Sequence, residues 1–380
     1  MDLKLSEEQR LIRDTAAQFV DKELIAREGE YLRQRAPFLP PGDPPRREIH
    51  QDLKNELTAR ARQVGLWTLE LPENFGGSSL NTVARVLIHR EFGRSVLPFR
   101  PVSIPAFMFE SKYGESLAAG TVSLALAFEE AHGNGELTRL QTLYRQEPDG
   151  SILRDSSIYV SNPRADLFLV PAREQGTERL GLFALERDAP GVTIADEVEL
   201  TTDATVARLM MQHCKIPNEQ LVGYEYEAGA IIASEQLNIA ARSLGIAMRC
   251  LASSLEHARN RVTFGRPLSQ RQAIQWMLAD LSIDIRACTW LTLDAAWRAD
   301  QGLPYFEEAA LAKKRAARMA FQAADTAIQI HGGYGVCKEF PFEGFYREAR
   351  LMRLLYGRED ELDRARGERF IEGDSGGGPT

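Results

Sequence analysis

The sequence predicts a mostly α-helical protein with a central β-domain. Three observations carry this expectation. Apolar residues recur at helical spacing through the first third of the chain. Six short, β-branched or alternating runs crowd between residues 119 and 226. Long, Ala-rich amphipathic segments fill most of the remainder. The expected organisation is an N-terminal helical domain (1–118), a middle antiparallel β-domain (119–226), a C-terminal four-helix bundle (227–372) and a disordered tail (373–380). A chain of 380 residues suits two or three domains at roughly 100–200 residues each.

The first helix starts at Ser6, a hydroxyl cap followed by Glu7, Glu8 and Gln9 over the free N–H groups of the first turn. Leu11, Ile12, Ala16, Phe19 and Val20 follow at helical spacing. The segment Ala36 to Glu48 holds five prolines and one glycine and reads as a loop. Helical periodicity resumes from Ile49 to Val64, a turn falls at Pro72 to Gly77, and Val83, Val86, Leu87 and Phe92 form a further apolar stripe. The runs TVSLALAF, SSIYVSN, DLFLVPA, GLFALE, GVTIADEVEL and VARLMMQHCKI then read as antiparallel strands. They do not alternate with helices, which argues against a Rossmann sheet. Three long helical segments follow, then a shorter charged one around Arg347 to Arg369.

Composition excludes several classes. Apolar residues make up 44% and charged residues 26%, which is globular rather than disordered or fibrous. No apolar run approaches the roughly 20 residues of a membrane helix. A net charge of −8 argues against a nucleic-acid partner, a local basic patch excepted. Cys214, Cys250, Cys288 and Cys337 form no CxxC pair, and the six histidines show no zinc spacing. Buried free thiols, no metal and a reducing, cytoplasmic location are expected; the N-terminus carries no secretory or transit pattern. Neither GxGxxG nor GxxxxGK[ST] occurs, so a nicotinamide Rossmann site and a P-loop lose support.

The informative stretch is Arg259 to Arg271, which has four arginines and no acid. It suits either a solvated helix end or a pyrophosphate, whose oxygens accept paired guanidinium hydrogen bonds. Here R-x-x-F-G-x-x-L-x-x-x-Q appears as Arg261, Phe264, Gly265, Leu268 and Gln272. Phe264 offers an apolar ring to a ligand or to the core. A second motif, Q-x-x-G-G-x-G before an arginine-rich helix, appears as Gln329, Gly332, Gly333, Gly335, Arg347 and Arg350. These glycines end a helix, allow close ligand approach, or both. A weaker strand motif is Tyr159, Val160, Ser161 and Asn162.

On these motifs the chain resembles the acyl-CoA dehydrogenase flavoprotein family over nearly its whole length. The resemblance implies the helix, β-domain, four-helix-bundle fold and FAD as cofactor. It implies that Arg261, Thr263, Phe264, Gln272, Gln329, Gly332 and Gly333 bind FAD, the Gln329 segment across a dimer interface. It implies that Tyr159 and Ser161 flank the flavin ring. The implied reaction is α,β-dehydrogenation of an acyl-CoA: a base takes the α-proton and hydride passes from the β-carbon to flavin N5. The implied partners are an electron-transfer flavoprotein and further copies in a homotetramer or dimer of dimers, or a second chain in a heterotetramer.

The chain departs from the family pattern twice. The Thr-Glu-Pro and Gly-Ser-Asp loop reads FEEAHGNGEL, Phe128 to Leu137. The glutamate of the usual Glu-Gly-Thr base motif falls on Tyr356, with Gly357 kept and Arg358 for threonine. A tyrosine of ordinary pKa, about 10, is a poor base at neutral pH. Isovaleryl and long-chain relatives carry the glutamate thirty residues before the motif glycine, which counts from Gly265 to Glu235. Glu235 lies among Ile231, Ile232 and Leu237, where desolvation raises a carboxylate toward the range of a working base; an ordinary carboxylate near a helix N-terminus is the other reading. Glu359 and Glu361 are expected to face solvent. Glu235 is thus the expected base, Tyr356 and Gly357 the pocket, with branched or bulky acyl groups favoured. A non-catalytic subunit of a heteromeric enzyme, and an oxidase or monooxygenase on the same fold, stay open.

Overall fold

In the computed structural model, helix α1 (Glu7–Phe19) starts where its cap predicts. Ser6 Oγ accepts from the Gln9 N–H at 3.1 Å, and Gln9 Oε1 accepts from the Ser6 N–H at 3.0 Å. The structure describes residues 5–33, 47–67, 69–130, 137–154, 156–202 and 204–371. Residues 36–46 of the expected proline-rich loop, residues 131–136 of FEEAHGNGEL and the tail 373–380 lie outside them. Helices α2 (Glu28–Arg33), α3 (Arg47–Gln63) and α4 (Thr82–Phe92) follow. Val83, Val86, Leu87 and Phe92 are buried as the stripe on α4 predicts, whereas Leu11 on α1 is exposed.

The chain divides into two compact units. The first comprises Met1–Glu70, Gly77–Ser103 and Gln236–Met352; the second comprises Leu71–Gly76, Ile104–Glu235 and Arg353–Thr380. Helix α5 (Gly114–Ala119) belongs to the second unit. Helix α6 (Glu225–Asn260) begins in the second and continues into the first. Helices α7 (Gln272–Asp300), α8 (Phe306–His331) and α9 (Phe342–Met352) complete the first unit, and α10 (Glu359–Ile371) lies in the second.

Small residues build the first unit. On α8 a buried face of Ala309, Ala312, Ala316, Ala320, Ala323 and Ala327 lets α7 and α9 approach closely. Asp300 at the end of α7 accepts from the N–H groups of Thr82 (2.6 Å) and Val83 (3.0 Å), and Asn81 accepts from Ala84 (2.9 Å). The open donors at the start of α4 are thereby satisfied. Where α4 meets α6, two glycines face backbone. A Cβ on Gly245 would stand 2.1 Å from the Arg90 carbonyl oxygen, and one on Gly93 would stand 2.3 Å from that of Arg242. Gly245→Ala is therefore expected to cost about 3 kcal/mol, because the helices must separate to admit the methyl group. Urea unfolding of the variant against the parent measures it; an unchanged midpoint would mean that this crossing yields freely.

Among the described residues, the second unit holds eleven strands: β1 (Leu124–Leu126), β2 (Glu129–Glu130), β3 (Leu143–Glu147), β4 (Gly150–Leu153), β5 (Ser156–Val160), β6 (Leu167–Glu174), β7 (Leu180–Glu186), β8 (Val192–Glu199), β9 (Thr205–Met211), β10 (Cys214–Ile216) and β11 (Leu221–Tyr224). One sheet runs β10-β4-β3-β6-β7-β11 with β1 also on β6, and the other runs β2-β5-β9-β8. Phe168, Val170, Phe183 and Leu185 of the first join Ile158, Val160, Leu209 and Met211 of the second in one apolar cluster. Pairing is mainly antiparallel, as the alternating runs predict, but β1 and β3 both pair with β6 in parallel. The hairpin β3–β4 turns at Pro148–Asp149, with Gly150 already paired to Glu147; it, β2 and β11 lie outside the six expected runs. Cys214, Cys250 and Cys288 are buried, the last two with thiols pushed up by burial to about 12 and about 11; Cys337, against expectation, is exposed.

Candidate active site

The R-x-x-F-G segment folds into a minimal hairpin in the first unit. β12 (Val262–Thr263) pairs with β13 (Arg266–Pro267), and between them Phe264 and Gly265 have φ of 49° and 77°. Two successive positive φ values make the tight turn that a two-residue hairpin needs. Glycine adopts this freely; for Phe264 it is a strained conformation. The strain aims the Phe264 ring outward, where it is 97% exposed, so the core reading of this residue is corrected. Arg271 braces the turn: it donates to the Thr263 carbonyl at 2.5 Å and its guanidinium lies 5.8 Å from the Phe264 ring centre. Arg259, Arg261 and Arg266 are exposed, and among the described residues none has a carboxylate partner. Gln272, the first residue of α7, is also exposed.

The second motif comes to the same end of this unit. His257 near the end of α6 and His331 at the end of α8 have ring centres 4.4 Å apart, and Phe342 lies 4.3 Å from His331. His331 donates through Nδ1 to the Ala327 carbonyl at 2.7 Å. Burial holds both imidazoles below their ordinary pKa, so both are neutral at pH 7. Arg261 follows His257 by one turn, its N–H bonded to the His257 carbonyl at 2.8 Å, and Gly332 directly follows His331. The three glycines have different reasons to be glycine. Gly332 has φ of 60°, and a Cβ on Gly335 would stand 2.4 Å from the Ile328 carbonyl oxygen. Gly333 meets neither constraint, and open space surrounds its Cβ position. Exposed Gln329 stands on the last turn of α8. Unneutralised guanidiniums beside bare backbone fit a dinucleotide pyrophosphate, which needs both charge and close approach.

A separate cluster forms in the second unit. The expected charged helix from Arg347 to Arg369 is broken into α9 and α10. The break lies at Tyr356 and Gly357, with φ of 49° and 104°. Across it, Arg353 clamps Glu359 through contacts of 2.5 and 2.7 Å, and Arg358 pairs with Glu361, whose side chain is only 7% exposed. Neither Glu359 nor Glu361 faces solvent as expected; both fasten the turn. The Tyr356 N–H donates to Glu129 Oε1 at 2.8 Å. Glu129 on β2 stands opposite Tyr159 on β5, and Ser161 follows that strand, exposed. The structure thus gathers Glu129, Tyr159, Tyr356 and Gly357. Glu129 is the addition: sequence reasoning treated FEEAHGNGEL only as a departure, although two acids ending an apolar strand were the available signal. Glu235 is half-buried on α6 beside buried Leu237 and Gln236. It lies about three turns from the helix start, beyond the reach of the N-terminal dipole, so that reading of it is set aside.

Comparison with known proteins identifies the family. The acyl-CoA dehydrogenase N-terminal domain profile matches residues 6–114 and the C-terminal domain profile matches residues 223–369. An acyl-CoA dehydrogenase of Bacillus subtilis is 30% identical over 326 residues, covering 80% of this chain and 86% of that protein. The probable acyl-CoA dehydrogenase YngJ of the same organism is 28% identical over 387 residues, covering 94% and 96%. The fold superposes on butyryl-CoA dehydrogenase from Megasphaera elsdenii with a TM-score of 0.81 at 24% identity, covering 98% of this chain and all of that one. The chain belongs to the acyl-CoA dehydrogenase family, FAD-dependent oxidoreductases that act on acyl-CoA.

Proposed function

We propose that this chain dehydrogenates an acyl-CoA thioester between the α- and β-carbons with Glu235 as the base. The turn at Tyr356 and Gly357 carries this reading. It keeps the backbone donor of a base motif while its side chain supplies no carboxylate, so the base must come from elsewhere. Glu235 supplies it from α6 and takes the α-proton. The C–H electron pair becomes the double bond as hydride leaves the β-carbon. Bound FAD supplies the acceptor for that hydride. Arg261, Thr263, Phe264, Gln272, Gln329, Gly332 and Gly333 hold FAD, and Tyr159 and Ser161 flank its ring. The Tyr356 N–H polarises the thioester carbonyl as negative charge develops on its oxygen. With the carboxylate on α6 and a tyrosine ring at the usual base position, branched or bulky acyl groups are favoured.

Reducing equivalents pass to an electron-transfer flavoprotein or a similar acceptor. Further copies of the chain complete the assembly as a dimer of dimers. The outer face of α7 supports this: Trp276, Ile283 and Trp290 recur every seven residues and are 61%, 66% and 41% exposed. An interface about a two-fold axis buries the same patch of both copies, and an exposed apolar stripe is suited to such burial. Among the described residues, no helix is long and apolar enough to cross a membrane. The reading is tested by anaerobic addition of acyl-CoA thioesters to the purified flavoprotein, with bleaching of the visible flavin band expected.

A further inference from the structure

The Tyr356 N–H already has an acceptor. We propose that Glu129 is a positioning residue that holds this donor in the free protein and yields it to the substrate carbonyl. The proposal rests on the acyl-CoA reading above. The contact is 2.8 Å long and half-buried, and the positive φ values of Tyr356 and Gly357 fix the direction of the N–H. The strand around Glu129 is tied to its neighbours. Its neighbour Glu130 accepts from the N–H groups of Gln141 at 2.7 Å and Thr142 at 2.8 Å, and Glu129 itself is registered against Tyr159. With the backbone so placed, handing over the donor takes a movement of the Glu129 side chain alone.

One N–H serves one strong acceptor. An ionised carboxylate outcompetes a neutral thioester carbonyl, because hydrogen bonds to charged groups are stronger than neutral ones. As the proton leaves the α-carbon, the thioester oxygen gains charge and the competition evens. The donor is then engaged more fully in the transition state than in the ground state, which raises turnover instead of tightening substrate. Glu129 thus withholds the donor until charge develops.

The test compares wild type, Glu129→Gln and Glu129→Asp as holoproteins. The probes are a panel of 2-enoyl-CoA thioesters, which bind without being dehydrogenated, and the matching S-alkyl-CoA thioethers, which lack the carbonyl. Calorimetry reads both affinities. Glutamine keeps the shape but is a neutral acceptor; aspartate keeps the charge but falls one methylene short. Both variants are expected to bind the thioester about tenfold more tightly, the ratio between a charged and a neutral acceptor, and to bind the thioether as wild type does. A merely structural anchor would weaken both probes or move neither, and either result overturns the proposal. Wild type that binds neither probe would instead defeat the acyl-CoA reading, and the proposal with it.

Discussion

Glu235→Gln is expected to lower kcat by about 10²–10⁴, the range that a positioned general base contributes, while flavin content stays at the parent level. The amide fills the same volume on α6 but cannot take a proton. Its neighbours Gln236 and Leu237 are buried, and the substitution removes a charge without opening a cavity, so the fold should persist. Because the lost interaction is made only as the proton moves, kcat and kcat/KM should fall together with KM little changed. Stopped-flow reduction of the flavin by acyl-CoA reads the step directly. Undiminished reduction would remove Glu235 from this role. Loss of the same size in Glu129→Gln with Glu235→Gln unaffected would transfer the role to Glu129.

The second large effect is on FAD itself. Arg261→Ala is expected to weaken FAD by about 10–100-fold, the equivalent of one charge-assisted contact to a phosphate. Arg261→Lys should recover only part of it, since an ammonium cannot make the paired contact of a guanidinium. The parent's FAD affinity should also fall with salt, because these guanidiniums are exposed. Flavin-to-protein absorbance ratios after gel filtration, at low and high salt, measure all three. A full flavin complement in Arg261→Ala would show that the hairpin is the solvated helix end that its composition also permitted.

The helices were legible because their signals are local: the Ser6 capping box, the stripe on α4 and the alanine face of α8 each repeat at helical spacing. The strands with strong alternation were legible for the same reason. The hairpin β3–β4 was not, since Arg145, Gln146 and Glu147 interrupt the apolar pattern and only the Pro148–Asp149 turn before Gly150 marks it. At the site, the two motifs of the first unit could be read from spacing, but their meeting at His257 and His331 could not. That contact joins helix ends seventy-four residues apart. Phe264 shows the limit from the other side: its apolar ring suited a ligand or the core, and only the backbone angle at the turn shows that it points outward. Glu129 was hidden because its partner is a backbone N–H, which has no residue type to recognise. Tyr356 was legible as a missing carboxylate, and Gly357 beside it, a residue type that ends helices, was the one local sign that a helix would break there.

Anaerobic titration of the purified holoprotein with straight, branched and aromatic acyl-CoA thioesters, followed at the visible flavin band, is the most direct test. Dehydrogenation through Glu235 predicts bleaching by at least one thioester and none at a comparable rate in Glu235→Gln. Full flavin occupancy with no bleaching by any thioester would contradict it and mark the chain as the non-catalytic member of a larger assembly.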